Sequence, residues 1–264
     1  MMSHLRRLAL IMGMLTASPA SAQDQSRIAI AYDVYTGGLQ VVEFGLDLAL
    51  SASRYDVLTR LKTRGLYGTL FPWEQVSRGS GQVSAAKLAP LSYEQRGQFR
   101  GRERVVEIGY ANGRVADVRL EPTALDDNDR EPVLEDQLAG VVDPLAGVLG
   151  LIIRVNDGGH CAGRYEGFDG RRRFNIEFVD RGMERVEVGR PVAFAGDARG
   201  CDFVYRQTGG FVRRVTWGAD RQRVPQLGRV WLANVAARLP VVPVKIEIES
   251  NWGRTIAYIR KLEP

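Results

Sequence analysis

The chain has 264 residues, a quarter of them charged, with two cysteines, two histidines and a formal net charge of +5. That length fits one large β domain or two small ones. Basic residues are scattered among acidic ones, which excludes the clustered basic face of a nucleic-acid-binding protein.

The first element in chain order is a leader. Arg6 and Arg7 precede the apolar run Leu8 to Leu15, and Ala20-Ser21-Ala22 closes it with the small residues that signal peptidase accepts. Residues 1–22 are therefore expected to be a cleaved signal peptide that delivers the protein to the periplasm. The apolar run is roughly ten residues, about half of the ~20 that a membrane-spanning helix needs, so no permanent span is expected. No cysteine lies near the cleavage site to carry a lipid anchor. Cleavage removes two arginines and no acid, so the net charge falls to +3 over residues 23–264.

Beyond the leader the commonest signal is alternation with a period of two, which marks strands with one apolar and one wet face. Ile28, Ile30, Tyr32 and Val34 share one side; Val42, Phe44, Leu46, Leu48 and Leu50 follow, opposite Glu43 and Asp47; then come Tyr55, Val57, Thr59 and Leu61. Gly37-Gly38 separates the first two runs, and Asn112-Gly113 follows the run Val106, Ile108 and Tyr110. Both dipeptides suit the positive φ values of a type I′ hairpin turn, as does Asp169-Gly170 before Phe174, Ile176 and Phe178. Val242, Val244, Ile246 and Ile248 oppose Lys245, Glu247 and Glu249, and Trp252, Ile256, Tyr258 and Leu262 follow. About ten to twelve strands are expected, joined as an antiparallel meander, since one-sided sheets need no crossover helices.

Two apolar stretches depart from alternation. Gly65 to Trp73, with Leu66, Phe71 and Trp73, reads either as the lip of an apolar pocket or as a short helical turn packed into the open end of the sheet. Leu239 to Pro243 reads either as a second lip or as a bulge with proline on an edge strand. The segment 123–137 carries Asp126, Asp127, Asp129, Glu131, Glu135 and Asp136 but lacks the glycine and terminal glutamate of a calcium loop. It reads as a solvated acidic linker.

One helix is expected at about 143–155. Asp143 serves as N-cap and Pro144 as first helical residue; Leu145, Val148, Leu149, Ile152 and Ile153 then recur at helical spacing. A stripe of this kind beside a one-sided sheet must be buried against it, so the helix is expected to lie on the concave face. Arg171-Arg172-Arg173 and Arg213-Arg214 read as solvated strand ends.

The catalytic inventory is poor. After export His160 is the remaining histidine, which excludes multi-histidine zinc sites, and no nucleophile elbow, phosphate loop or dinucleotide fingerprint occurs. No catalytic residue, metal or cofactor is expected; converging carboxylates acting on carbohydrate are the remaining enzymatic alternative. Cys161 and Cys201, an even pair in an oxidising compartment, read as a disulfide. A redox-active thiol would require close spacing or a helix N-terminus.

Asp143-Pro144-Leu145 opening an apolar helix, Cys161 followed by Tyr165 and the run Phe168 to Phe174, and Cys201 with Phe203, Tyr205 and Gly209-Gly210-Phe211 form an ordered set of motifs. In these the chain resembles the exported bacterial family called domain of unknown function 3108, from about Ile28 to Leu262. The resemblance implies a periplasmic protein with a strongly curved antiparallel sheet, similar to the open barrels of lipoprotein carriers and the β-spirals of envelope-integrity proteins. It implies no activity and no catalytic residues, and both cysteines match its motif positions.

The expected architecture is mainly β: one strongly curved antiparallel sheet, an open barrel or β-spiral, with the amphipathic helix against its concave face. Phe44, Leu46, Leu48, Leu149, Ile152 and Ile153 are the candidate apolar interior. The expected function is non-enzymatic binding of an apolar or amphiphilic envelope component, a lipid or lipoprotein acyl chain. The alternative is a structural or protein-interaction module with a packed core and no ligand, whose partner would be another envelope protein.

Overall fold

The computed structural model describes residues 26–84, 87–99, 101–123, 130–187, 194–213, 222–236, 239–250 and 253–263. The expected signal peptide at 1–22, Asp126, Asp127 and Asp129 of the acidic segment, Arg214 and Trp252 lie outside these residues.

Thirteen strands form one antiparallel sheet: β1 Ser26–Thr36, β2 Leu39–Leu50, β3 Arg54–Thr63, β4 Trp73–Ser84, β5 Lys87–Phe99, β6 Arg102–Ala111, β7 Arg114–Glu121, β8 Gly163–Phe168, β9 Arg173–Val186, β10 Gly196–Gly209, β11 Gln226–Ala233, β12 Val242–Ser250 and β13 Gly253–Glu263. The spatial order runs β7-β6-β5-β4-β3-β2-β1-β13-β12-β11-β10-β9-β8, so the two halves of the chain join where β1 pairs with β13. The sheet is not closed. Its two edges, β7 and β8, are linked instead by the segment before the long helix: Ala139 bridges Arg114 of β7, and Val142 bridges Gly167 of β8. The Val142 N–H donates to the Glu166 carbonyl, and its own carbonyl accepts from the Phe168 N–H, both at 2.9 Å. Bare strand edges invite pairing with other chains, and this segment covers part of both.

The curvature has identifiable causes. Register slips interrupt the ladders at Ala31/Tyr32, Ser80/Gly81, Gly109/Tyr110 and Gly200/Cys201. Each such irregularity bends its strand and raises the local twist. Another falls between Trp231 and Leu232, opposite Pro243 and Lys245. The proline is thus placed at a bulge, but β12 lies between β11 and β13 and is not the expected edge strand. The freed Pro243 carbonyl accepts from the buried Tyr32 hydroxyl at 2.7 Å.

Two of the three dipeptide turns form two-residue hairpin connections. Gly37 and Gly38 have φ of 58° and 84°, and Asn112 and Gly113 have φ of 53° and 71°. Replacing Gly113 by alanine is expected to cost about 1 kcal/mol, read by urea unfolding, because a side chain is strained at that φ. The third turn differs: β8 and β9 are joined by four residues, Asp169 to Arg172. The Asp169 side chain organises them by accepting the backbone N–H groups of Arg171 and Arg172 at 3.0 and 2.7 Å. The Asx motif here outcompetes the tighter type I′ geometry.

Among the described residues there are two α-helices, α1 Gly65–Leu70 and α2 Pro144–Gly158, and a 3-10 turn at Glu135–Leu138. Helix α2 begins as its sequence dictates: Asp143 Oδ1 accepts from the N–H groups of Leu145 and Ala146 at 2.9 Å each, and Pro144 occupies the first turn. It runs beyond the expected end to a left-handed cap at Gly159. The expected stripe needs revision. Val148 is 46% exposed, whereas Leu151 and Val155 are buried. The reason is that the helix is packed on two sides. Ala146, Leu149 and Ile153 join Ile28, Ile30, Leu46, Leu48, Tyr55, Val57, Val242, Val244 and Ile259, while Leu151, Ile152 and Val155 join Cys161, Cys201, Val230 and Leu232. A helix apolar around most of its perimeter is a core element, here enclosed by the curved sheet.

Candidate functional site

The six candidate interior residues separate into two groups. Leu46, Leu48, Leu149 and Ile153 are buried in one cluster, with Phe44 partly buried against it, whereas Ile152 lies in the other cluster beside the disulfide. Cys161 and Cys201 are bonded and fully buried. The interior around these residues is filled by α2. Of the candidate lip, Leu66 is 71% exposed on α1, a short helix that lies against β2 and β3 and buries none of its own residues. Phe71 packs in a tilted arrangement on Tyr67 with ring centroids 5.2 Å apart, and Trp73 lines a separate cleft beside the β8–β9 turn. Pro240 of the second stretch lines a cavity of about 240 Å³ with Ile152 and Ile153.

A larger groove remains beside α2 where the helix does not reach the wall. About 580 Å³ is bounded by Leu88, Val142, Ala146, Gly150, Arg154 and Tyr165, with Lys87, Asp157 and Gly158 at the rim. Positions 146, 150, 154 and 158 follow one another at four-residue spacing and so share one side of the helix. Three of them are alanine or glycine, which leaves the space open. A Cβ at Gly150 would come within 2.7 Å of the Tyr165 ring, so the absence of a side chain lets that ring lie against the helix. Arg154 is the long side chain of the row; its guanidinium donates to Tyr165 Oη at 3.3 Å and to the Ala162 carbonyl at 2.7 Å. The walls are apolar, and the rim carries two cations against one carboxylate.

At the other end of α2, burial concentrates polar groups that sequence alternation had assigned to an apolar face. Asp143 is fully buried; its Oδ1 caps the helix while Oδ2 has no hydrogen-bond partner among the described residues. Burial pushes its carboxyl up to about 6, against the helix N–H bonds that favour ionisation. Tyr55, Tyr93 and Tyr110 surround it from β3, β5 and β6. Burial, with the Asp143 charge adding to it, raises all three phenols well above their ordinary range. Tyr93 Oη donates to Gln95 Oε1 at 2.9 Å, while the Tyr55 and Tyr110 hydroxyls have no partner among the described residues. Gly79 and Gly81 on β4 make the necessary room: a Cβ at Gly79 would sit 3.4 Å from Asp143 Oδ1, and one at Gly81 2.6 Å from Tyr55 Oη.

Among the described residues there is no group of three or more metal-ligating side chains, and no helix is long and apolar enough to cross a membrane. His160 is exposed just past the cap of α2.

The fold is similar to the crystal structure of a beta-barrel-like protein of domain of unknown function DUF1849 from Brucella abortus, with a TM-score of 0.52 at 12% identity over 90% of this chain and 97% of that one. At that identity the likeness concerns the fold alone. No curated protein matches the chain. The model of the family described as "Protein of unknown function (DUF3108)" matches residues 31–260, from within β1 to within β13, and the chain belongs to that family.

Proposed function

We propose that this chain is a non-enzymatic periplasmic binding protein whose ligand is a single-chain anionic amphiphile, held in the groove beside α2. The observation that carries the reading is the groove itself: about 580 Å³, bounded by Leu88, Val142, Ala146 and Gly150, with Lys87 and Arg154 beside it. Small-molecule pockets of roughly 300–1,000 Å³ are mostly apolar with a few placed polar groups, and this one follows that pattern. An acyl chain would lie along the small-residue side of the helix, and its acidic head would meet Lys87 and Arg154. Export is supported by the leader-type N-terminus and by the Cys161–Cys201 bond, which belongs to an oxidising compartment.

Titration with a fluorescent fatty acid tests the proposal. Saturable binding is expected, and Leu88→Asp, which places a charge on the half-buried wall, is expected to weaken it at least tenfold with the circular dichroism unchanged. Binding that survives Leu88→Asp, or no binding at all, overturns it. The packing of Leu149, Ile152 and Ile153 into the core favours a second reading, an interaction module of the envelope with no ligand. Lipid extraction from protein purified out of its native periplasm separates the two: a stoichiometric acyl species supports the first, and a lipid-free protein supports the second.

A further inference from the structure

We propose that the cleft between β4–β6 and the β8–β9 turn is a binding site for an oxyanion, with phosphate the best chemical match. It is separate from the groove beside α2 and stands independently of the amphiphile reading.

The cleft follows from strand register. On the inner face of the sheet β4 presents Trp73, Gln75 and Ser77, β5 presents Tyr93, Gln95 and Gly97, and β6 presents Arg104 and Val106. Gln75 pairs with Gly97 and Gly97 with Arg104, so these three form one row; Ser77, Gln95 and Val106 form the next. Gly97 is the floor of a notch. A Cβ there would approach the Glu74 carbonyl to 2.8 Å and the Gln75 Cβ to 3.3 Å, so the row stays open between Gln75 and Arg104. The β8–β9 turn forms the opposite wall, and the enclosed volume is about 420 Å³.

The chemistry of the lining is that of an anion receptor. Four arginines, Arg104, Arg130, Arg171 and Arg172, face a single carboxylate, Asp169. That carboxylate is already engaged: Oδ1 takes two backbone N–H groups of the turn, and Oδ2 pairs with Arg172 at 2.6 Å. Arg130 and Arg171 are anchored by the carbonyls of Gly210 and Pro122 at 2.9 and 2.6 Å. Arg104 is different. It is half-buried and, among the described residues, its guanidinium has neither an ion-pair nor a hydrogen-bond partner. Beside it, Gln95 uses its carbonyl oxygen to accept from Tyr93, which leaves its NH₂ as a donor to the cleft. Gln75 donates to Ser77 Oγ at 3.1 Å, which fixes the amide on the other side of the notch. A guanidinium lining the cleft without a counter-charge leaves its donors free for a ligand, and its planar fork matches the oxygens of phosphate.

The chemistry is shared by free phosphate and by a phosphate on a lipid headgroup, and two arms of one experiment distinguish them. Calorimetric titration with inorganic phosphate is run beside co-sedimentation with phosphatidylcholine vesicles containing phosphatidylglycerol. Saturable binding of inorganic phosphate that Arg104→Gln weakens at least tenfold assigns a free oxyanion. Binding to the anionic vesicles alone, with the same dependence on Arg104, assigns a headgroup. Arg102→Gln, at an exposed position two residues away, is expected to leave either result unchanged, and Arg104→Gln is expected to leave the circular dichroism and the urea unfolding midpoint unchanged, which shows that it folds. The proposal is overturned if neither probe binds, if binding survives Arg104→Gln, or if Arg102→Gln weakens it equally.

Discussion

Replacing Cys161 and Cys201 together by alanine is expected to lower the free energy of unfolding by about 4 kcal/mol, measured by urea denaturation against the oxidised protein. The bond spans 40 residues of sequence, and in the chain-entropy view a cross-link of that span removes a large part of the unfolded chain's freedom. Its location adds a local effect. Cys161 follows the cap of α2, Cys201 lies in β10, and both are packed with Leu151, Ile152 and Val155. The bond therefore ties the C-terminal end of the enclosed helix to the wall. The fold should survive its loss, because the Cys161 N–H also donates to Asp180 Oδ2 at 2.8 Å, and Asp180 is held by Arg199 at 2.7 Å. Amide exchange over the last two turns of α2 should accelerate more than exchange over β1 and β2. A loss of stability below about 1 kcal/mol would mean that the unfolded chain is already compact across this span, and the entropic account would fail.

The parts of the fold that were legible in the sequence are those where the inner face is apolar. β1, β2, β3, β6, β9 and β12 alternate because their alternate side chains meet α2 or one another. β4 and β5 do not alternate in hydropathy, since their inner positions are Gln75, Ser77, Gly79, Gly81, Gln95 and Gly97. Polar and glycine residues occupy an inner face there because the neighbouring element is the polar start of a helix, capped by Asp143, and a water-accessible cleft. Helical periodicity placed α2 correctly in the chain but misassigned Val148. Helical spacing reads as a one-sided stripe, and a helix surrounded on two sides has none. The three tyrosines around Asp143 were unreadable for a different reason. Tyr55 and Tyr110 satisfy an apolar pattern equally well, and only the meeting of β3 and β6 with the helix start reveals that their hydroxyls face a carboxylate. Arg104 carries no local motif at all; its meaning comes from the pairing of three strands.

Asp143→Asn is expected to stabilise the protein by about 3 kcal/mol at pH 8 and to leave it unchanged at pH 4. The sign follows from where the proton is held. An aspartate in the unfolded chain loses its proton near 3.8, and in the folded protein burial delays that loss to about 6. Between these values the folded state binds more protons than the unfolded state, so stability falls as pH rises through the window and stays lower above it. Two other aspartates act in the opposite sense. Asp180 is partly desolvated, but the N–H groups of Cys161 and Gly182 and the Arg199 guanidinium outweigh this and lower its value. Asp202 is lowered chiefly by its hydrogen bond to Arg229. Their contribution is present above the ordinary carboxylate range and is lost as pH falls through their own lower values. The parent chain should therefore be most stable near pH 4, the lower end of that window, and decline on both sides, whereas Asp143→Asn should keep the acid-side decline and lose the other. Asparagine caps a helix as well as aspartate does, and its NH₂ supplies a donor toward the unpartnered Tyr55 and Tyr110 oxygens. Alanine removes the cap, so Asp143→Ala should lie about 1 kcal/mol below Asp143→Asn at either pH. Urea unfolding of the three proteins across this range decides the matter. If parent and Asp143→Asn show the same slope between pH 4 and pH 8, the carboxylate at the start of α2 is not the group whose burial opposes folding at neutral pH.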